Sequence, residues 1–277
     1  MAASAKDLTN DDCALDGGWT VVLPRRGRQM KKSTEVEILK EKQEPWAPTD
    51  QQIDPCREKT LMQKLERCMS KVESSQFYHT FLEQIHTSQI SDYLHRVLSP
   101  EPKMQMVIYG IGSLELYENP RLQLSLAMLM KRDLGWIGDI EVFDPVLSAT
   151  DSRVLEALGC SVLTINEHGR RQALQPTFFF MPHCEAGLYD NLLQANWRLD
   201  LLSNMVLFGN SFDTYKKLSE FKNSPILSKV GYILAAQKFT NEFKITTISD
   251  DYYIALHDSS WHFFSPNLET EMQFMNS

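Results

Sequence analysis

Five short apolar runs, each followed by a helical pattern of apolar residues, alternate along the chain between Lys103 and Phe212. A continuous apolar run is typical of a strand buried on both faces, as in a parallel sheet covered by helices. The alternation therefore predicts an α/β fold with a Rossmann-like, doubly wound and mainly parallel sheet, for which we expect the strand order 3-2-1-4-5. The predicted strands are Met104–Tyr109, Asp139–Phe143, Cys160–Ile165, Thr177–Met181 and Asn204–Phe208.

Helices are predicted before this sheet and a strand pair after it. Apolar residues recur at intervals of three and four between Glu58 and Leu98, and the polar pair Ser74–Ser75 interrupts them, which predicts two amphipathic helices. Near the end of the chain, Tyr252–His257 and Trp261–Phe264 are typical of the two strands of a hairpin. We expect this hairpin at the edge of the sheet.

The pattern predicts one folded domain with a polar region at each end. Residues 1–56 are polar and show no sustained periodicity, so we expect this region to be largely disordered. Within it, Trp19–Lys32 joins a short apolar run to five basic residues. Such a stretch is typical either of a nuclear-localisation or anion-binding patch or of a solvated basic tail. Residues 57–265 form the predicted domain, and residues 266–277 a tail.

Composition narrows the class of protein. The 277 residues are 43% hydrophobic, which is enough for one sizeable core. The net charge of -8 argues against nucleic-acid binding by the folded domain, because phosphate groups require a basic surface. The sequence contains no apolar run typical of a membrane span or a signal peptide. We therefore expect a cytoplasmic protein without membrane contact, and the basic stretch adds the nucleus as a second expected location.

Small and polar residues follow each of the five predicted strands, at the edge where doubly wound sheets bind ligands. In the expected order the first and fourth strands are neighbours, so the residues that follow them face each other across one crevice. The candidate cofactor-binding residues are Gly110, Gly112, Ser113, Asp144, Asn210 and Ser211, and the candidate catalytic residues are His183, Cys184 and Glu185.

The pair His183–Cys184 is open to more than one interpretation. A histidine at a strand end is suited to acid–base chemistry or to metal binding, and Glu185 or Asn210 would then be a further metal ligand. A structural role is equally typical, in which the His183 side chain only makes hydrogen bonds within its loop. Cys184 acts as a nucleophile only if its pKa is lowered. The five cysteines are widely spaced and form no Cys-x-x-Cys pair, so reduced thiols are expected.

The glycines and the acid after the first two strands also have alternatives. Gly110 and Gly112 lack the third glycine of a dinucleotide fingerprint, so they indicate either a phosphate-binding loop or a plain tight turn. Asp144, which precedes Pro145, either holds the hydroxyls of a ribose or caps a turn.

Five of these motifs together resemble a known family, the sensitivity-to-red-light-reduced domain. The family is named for a plant protein of phytochrome signalling and the circadian clock. The resemblance spans roughly residues 60–265, and Trp19-Thr-Val-Val with the following arginines also resembles the animal members. The motifs are Tyr109–Ser113, Gln123–Leu124, Phe143–Pro145, Pro176–Glu185 and Leu207–Ser211.

The resemblance implies a regulatory role. Members are associated with circadian regulation, and animal members with clock-gene expression and the control of haem biosynthesis. The resemblance implies no established chemical reaction. The implied partners are proteins of a regulatory pathway and a small ligand in the crevice. Haem is one candidate, because His183 and Cys184 are an adjacent pair of good iron ligands, although the chain has no Cys-Pro dipeptide of the haem-regulatory kind.

Two other classes of function remain as alternatives. A methyltransferase-like enzyme using S-adenosylmethionine, or a protein that binds a nucleotide, would explain the glycine loop after the first strand and the acid after the second. Ile108 and Leu114 depart from the usual methyltransferase pattern. An interaction scaffold without a ligand would explain the basic stretch and the lack of a complete catalytic set. We expect a binding protein rather than an enzyme.

Overall fold

The computed structural model describes residues 44–220, 229–246 and 250–266, and only the backbone of Glu44, Asp250, Asp251 and Tyr253. Seven strands form one sheet with helices on both faces, and two short strands pair beside it. The strands are β1 (Glu44–Pro45), β2 (Met104–Tyr109), β3 (Ile137–Phe143), β4 (Cys160–Val162), β5 (Ile165–Asn166), β6 (Thr177–Met181), β7 (Met205–Asn210), β8 (Thr240–Lys244) and β9 (Ser259–Phe264). The helices are α1 (Pro55–Glu73), α2 (Gln76–Ile85), α3 (Ser88–Leu98), α4 (Glu118–Asp133), α5 (Ala149–Ala157), α6 (Ala186–Ala195), α7 (Leu199–Leu202), α8 (Phe212–Ser219), α9 (Gly231–Ala236) and α10 (Asp250–Leu256), with a 3-10 turn at Gln237–Phe239.

The large sheet has the order β4-β3-β2-β6-β7-β9-β8. Its first five strands are parallel and correspond to the predicted order 3-2-1-4-5, which is confirmed. Strand β9 runs antiparallel to both β7 and β8. The Rossmann-like fold class is therefore confirmed, and the order of the strands reverses between β2 and β6.

Each face of the sheet covers its own hydrophobic core. Alternation along β2 shows this directly, since Met106 and Ile108 belong to the core beneath α1–α5 and α10, whereas Val107 and Tyr109 belong to the core beneath α6, α8 and α9. Burial on both faces explains why the central strands have continuous apolar sequences. Among the described helices, none is long and apolar enough to cross a membrane.

Three helices precede the sheet, where the sequence predicts two. The predicted break at Ser74–Ser75 is correct, because the Ser75 hydroxyl caps α2 by accepting a hydrogen bond of 3.1 Å from the Tyr78 N–H. A second break at His86–Thr87 separates α2 from α3. The prediction missed it because no glycine or proline marks the turn, and the only signal is an interval of five residues from Ile85 to Ile90 in place of three or four.

The fold begins before residue 57, so the predicted boundary of the domain is too late. Strand β1 pairs antiparallel with β5, and the Trp46 indole N–H donates to the Pro145 carbonyl oxygen at 3.2 Å. The Ala149 N–H donates to the Asp50 carbonyl oxygen at 2.9 Å. This segment lacks periodicity because single contacts, rather than a repeating apolar face, hold it on the domain. The basic stretch Trp19–Lys32 lies outside the described residues, as does all of the predicted tail 266–277 except its first residue.

Two antiparallel strands extend the sheet at the predicted edge, but they are not the predicted pair. The partner of β9 is β8, and Tyr252–Leu256 lies in α10 instead of forming a strand. Tyr252, Ala255 and Leu256 are buried at the helical spacing of three and four. The two adjacent tyrosines and the isoleucine favoured a strand by propensity, and this packing outweighs that preference.

His262 on β9 is fully buried between the sheet and α8. Its Nδ1 lies 3.3 Å from the Leu207 carbonyl oxygen, and its ring centroid lies 4.2 Å from that of Phe212. Two carboxylates face it, Glu242 with Oε2 at 3.9 Å from Nε2, and Asp213. Burial nevertheless lowers the pKa of His262 to about 4.

We expect His262 to destabilise the fold in mild acid. The histidine of the unfolded chain takes up a proton near pH 6.5, whereas the folded one resists it, so the free energy of unfolding falls between about pH 6.5 and about pH 4, by roughly 2 to 3 kcal/mol. Urea unfolding across this range should show a smaller loss for His262→Gln than for the wild type. Substitution of the exposed His95 by glutamine is the control, and identical losses in all three proteins would contradict the prediction.

Candidate functional site

The carboxyl ends of β2, β6 and β7 lie side by side at the point where the strand order reverses. Open α/β sheets bind ligands at such a point. The structure therefore brings the loop after Tyr109, the turn at His183–Cys184 and the end of β7 together, as the sequence predicts.

The Cys184 thiol fills the space between the ends of β2 and β6. It donates a hydrogen bond of 3.1 Å to the Tyr109 carbonyl oxygen, and a Cβ on Gly110 would lie 2.5 Å from Sγ. Gly110 also has a φ of +68°. Burial, reinforced by the charges of Asp144 and Glu185, raises the pKa of the thiol. Cys184 is thus a protonated packing group, and its environment is the opposite of one that activates a nucleophile.

Asn210 holds the turn that carries His183 and Cys184. Its Oδ1 accepts from the His183 N–H at 2.7 Å, and its Nδ2 donates to the Cys184 carbonyl oxygen at 3.2 Å and to the Tyr215 hydroxyl at 2.9 Å. Its own N–H donates to the Tyr189 hydroxyl at 3.0 Å. Three of the four hydrogen-bonding positions of this side chain therefore hold neighbouring groups of the protein.

His183 lies at the outer rim of this turn and is partly buried. Its backbone has a φ of +59°, which is uncommon for a residue with a side chain. Its Nε2 lies 2.9 Å from the His257 carbonyl oxygen, so Nε2 carries the proton and Nδ1 is the acceptor of the ring. The two histidine rings are 4.4 Å apart, and burial lowers the pKa of His183. At neutral pH it is a neutral imidazole whose Nδ1 edge could bind a metal or a proton donor.

Asp144 lies beside the glycine loop, where the sequence places it. Its Oδ2 accepts from the Gly112 N–H at 2.7 Å, and its Oδ1 accepts from the Val146 N–H at 2.9 Å. A carboxylate accepts about four hydrogen bonds, so capacity remains for a hydroxyl group. Trp46 covers the same strand end, with its ring 5.3 Å from that of Phe143. A ribose at Asp144 would therefore have to fit beside this indole.

Three of the predicted residues do not point to a common space. The Ser113 hydroxyl lies 3.5 Å from the buried Asp151 carboxylate. Ser211 is fully buried at the start of α8, and its hydroxyl has no hydrogen-bond partner among the described residues. Glu185 is exposed at the start of α6.

Sequence reasoning missed the tyrosines that complete this network. The Tyr189 hydroxyl donates to the Met181 carbonyl oxygen and accepts from the Asn210 N–H. It occupies the space that a side chain on Gly209 would need, since a Cβ there would lie 2.7 Å from the Tyr189 ring. Tyr215 adds the second hydroxyl. The glycine before Asn210 was the available signal, because glycine at the end of a strand marks a close approach of another group.

Among the described residues, no three His, Cys, Asp or Glu side chains come together as metal ligands. Two clefts among the described residues lie away from the strand-end turn. One of about 450 Å³ lies between α1 and the loop after Gly112, and another of about 500 Å³ lies at the amino ends of β2 and β3. The first cleft is lined by Asp54, Cys56, Arg57, Thr60, Leu61, Lys64, Glu115 and Leu116.

Comparison with known proteins shows the family. The family model of the SRR1 domain matches residues 81–263. The chain belongs to the SRR1 family. It is 53% identical over 269 residues to the Arabidopsis thaliana protein SENSITIVITY TO RED LIGHT REDUCED 1, covering 96% of this chain and 98% of that protein. It is 37% identical over 147 residues to an SRR1-like protein of Mus musculus, covering 49% of this chain and 57% of that protein.

The resemblance predicted from the motifs is thereby confirmed, and membership of the SRR1 family indicates a regulatory role. The solved structures that match this chain are only weakly similar to it. A mutant of MtNAS shares 13% identity at a TM-score of 0.36, covering 76% of this chain and 75% of that chain. The N-methyltransferase NodS from Bradyrhizobium japonicum WM9 shares 10% identity at a TM-score of 0.34, covering 75% of this chain and 99% of that chain. Similarities this weak transfer no activity to the SRR1 chain.

Proposed function

We propose that this SRR1-family chain is a regulatory protein of light-dependent and circadian gene expression that acts by binding rather than by catalysis. The observation that supports this proposal is the use of the strand-end groups. Asp144 bonds two backbone N–H groups, Asn210 bonds three neighbours, and the Cys184 thiol is buried against Gly110. Groups committed to the fold in this way are poorly placed to move protons or to attack a substrate.

The direct test is replacement of the Arabidopsis relative, whose name describes a reduced sensitivity to red light. We expect this chain, expressed in plants that lack that protein, to restore both the red-light response and the circadian period. Plants that make the full-length chain at a normal level without recovery of either response would overturn the proposal.

A methyltransferase-like activity makes a different prediction, which ligand binding can separate. A bound methyl donor at about 100 times its dissociation constant adds roughly 2.7 kcal/mol, or about 5 to 10 °C in melting temperature. We expect no such shift with S-adenosylmethionine, NAD, NADP or ATP. A shift with the methyl donor that disappears in Asp144→Ala would instead establish a cofactor site and favour the enzyme.

Haem is the small ligand that the resemblance favours, and His183 is the residue that would bind it. The buried Cys184 thiol is a poor axial ligand, whereas the Nδ1 edge of His183 is the acceptor of a neutral imidazole. If the chain senses haem, the Soret band of added haemin shifts with the wild type and with His79→Ala, an exposed control, but not with His183→Ala. An equal shift in all three proteins would exclude His183 as the ligand.

Regulatory proteins of the cytoplasm or nucleus remain the proposed partners.

A further inference from the structure

Four large apolar side chains are exposed around the loops that follow β2 and β3. The exposed fractions are 73% for Leu116, 63% for Tyr117, 60% for Val146 and 58% for Ile53. Single exposed apolar residues are common, but several on one surface mark a site of interaction. They come from three chain segments, residues 50–57, 113–118 and 144–151, which we call the loop surface.

Hydrogen bonds hold the three segments of the loop surface together. The Arg57 guanidinium binds the Glu115 carboxylate through two bonds of 2.9 and 2.7 Å, and the Ser148 hydroxyl donates to the same carboxylate at 2.7 Å. The Glu115 N–H donates to Asp151 at 3.1 Å, and the Ala149 N–H donates to the Asp50 carbonyl oxygen at 2.9 Å. A surface fixed in this way loses little conformational entropy when a partner binds.

The loop surface is acidic as well as apolar. Four of its carboxyl groups reach the solvent, those of Asp50, Asp54, Glu115 and Glu118, whereas Asp144 and Asp151 are buried. They outnumber the two basic side chains at this place, Arg57 and the cleft residue Lys64. Arg57 is already paired with Asp50 and Glu115, and it lowers the pKa of both, so they remain ionised. The Glu118 carboxylate, beside Tyr117, is exposed and lies 4.0 Å from the Lys71 Nζ. Nucleic acids and anionic membranes are repelled by such a surface, whereas a cationic segment is attracted.

The cleft of about 450 Å³ borders the loop surface. Leu61 and Leu116 supply apolar lining, and Asp54 and Glu115 lie at the same cleft. An apolar side chain of a partner would be buried there next to acidic groups. We infer that the loop surface is a docking site for a cationic amphipathic segment of a partner protein, with apolar side chains on the four exposed residues and lysines or arginines facing the carboxylates.

This inference rests on the proposed binding role and specifies the class of partner. It is tested with a synthetic helical peptide that has leucines on one face and lysines on the other, labelled for fluorescence anisotropy and titrated with the full-length chain. We expect binding that weakens about tenfold in the double variant Leu116→Ser/Tyr117→Ser. Both side chains are exposed, and Tyr117 is the N-cap residue just before α4, where it makes no capping hydrogen bond. Serine is favourable at an N-cap, so the variant is expected to fold.

The matched control is Leu174→Ser, an equally apolar residue that is 77% exposed near the amino end of β6. We expect it to bind the peptide as the wild type does. A peptide with glutamate in place of lysine should not bind. Equal weakening by both variants, or equal binding of the acidic peptide, would overturn the inference.

Self-association is the remaining alternative and has its own readout. Sedimentation of the wild type and of Leu116→Ser/Tyr117→Ser at increasing concentration shows whether a second copy of the chain covers the loop surface. Dimerisation that only the double variant abolishes would overturn the inference in favour of a dimer interface. Failure of the peptide to bind, together with recovery of the plant phenotype, would reject this class of partner and leave the regulatory role intact.

Discussion

Gly110→Ala is expected to lower the free energy of unfolding by about 2 to 5 kcal/mol, because it combines two penalties. A side chain at a φ of +68° is strained, and its Cβ would lie 2.5 Å from the Cys184 Sγ. Guanidinium unfolding of the purified protein measures the loss.

Gly159→Ala separates the two penalties. Gly159 has a φ of +81°, but a Cβ there meets no atom within 4 Å. This control should lose only the conformational share, about 1 to 2 kcal/mol. Combining Gly110→Ala with Cys184→Ala should recover the steric share. If Gly110→Ala is no worse than Gly159→Ala, the thiol does not close the space between β2 and β6.

Asn210→Ala is expected to cost about 3 kcal/mol, since it removes three partly buried hydrogen bonds, two to backbone groups and one to the Tyr215 hydroxyl. The turn at His183 should loosen, so we expect faster hydrogen exchange at the His183 amide. Asn191→Ala is the matched control, because its side chain makes an exposed hydrogen bond of 3.0 Å to the His168 carbonyl oxygen and should cost less than about 1 kcal/mol. Equal losses of unfolding free energy in Asn210→Ala and Asn191→Ala would show that the hydrogen bonds of Asn210 stabilise the fold no more than one exposed hydrogen bond does.

The central sheet could be predicted because the apolar runs in the sequence coincide with the strands that are buried on both faces. Strands β2, β6 and β7 are buried on both faces, and each is a nearly unbroken apolar run. The regions that failed are those in which local pattern and packing disagree. Strand β8 is partly exposed and polar, so nothing in Thr240–Lys244 predicts an edge strand. The segment around Trp46 is held by individual contacts that no periodicity reveals.

The sequence predicted the positions of the strand-end residues better than their roles. Strand order placed Gly110 beside Cys184 and the end of β7 beside His183, as the structure shows. Whether Asp144 or Asn210 faces a ligand or the protein depends on side-chain directions and on partners such as Tyr215. Those partners lie on other elements, so spacing along one strand cannot predict them.

The place of β9 within the sheet has a consequence for synthesis on the ribosome. Although β9 is the last described strand, it lies between β7 and β8 instead of at an edge. Until it emerges, β7 has an uncovered, apolar edge that can pair with another chain. Stop codons that remove residues after 258 should therefore produce aggregating protein rather than a smaller stable domain. We therefore expect nascent chains of this protein to need chaperones until β9 has been translated.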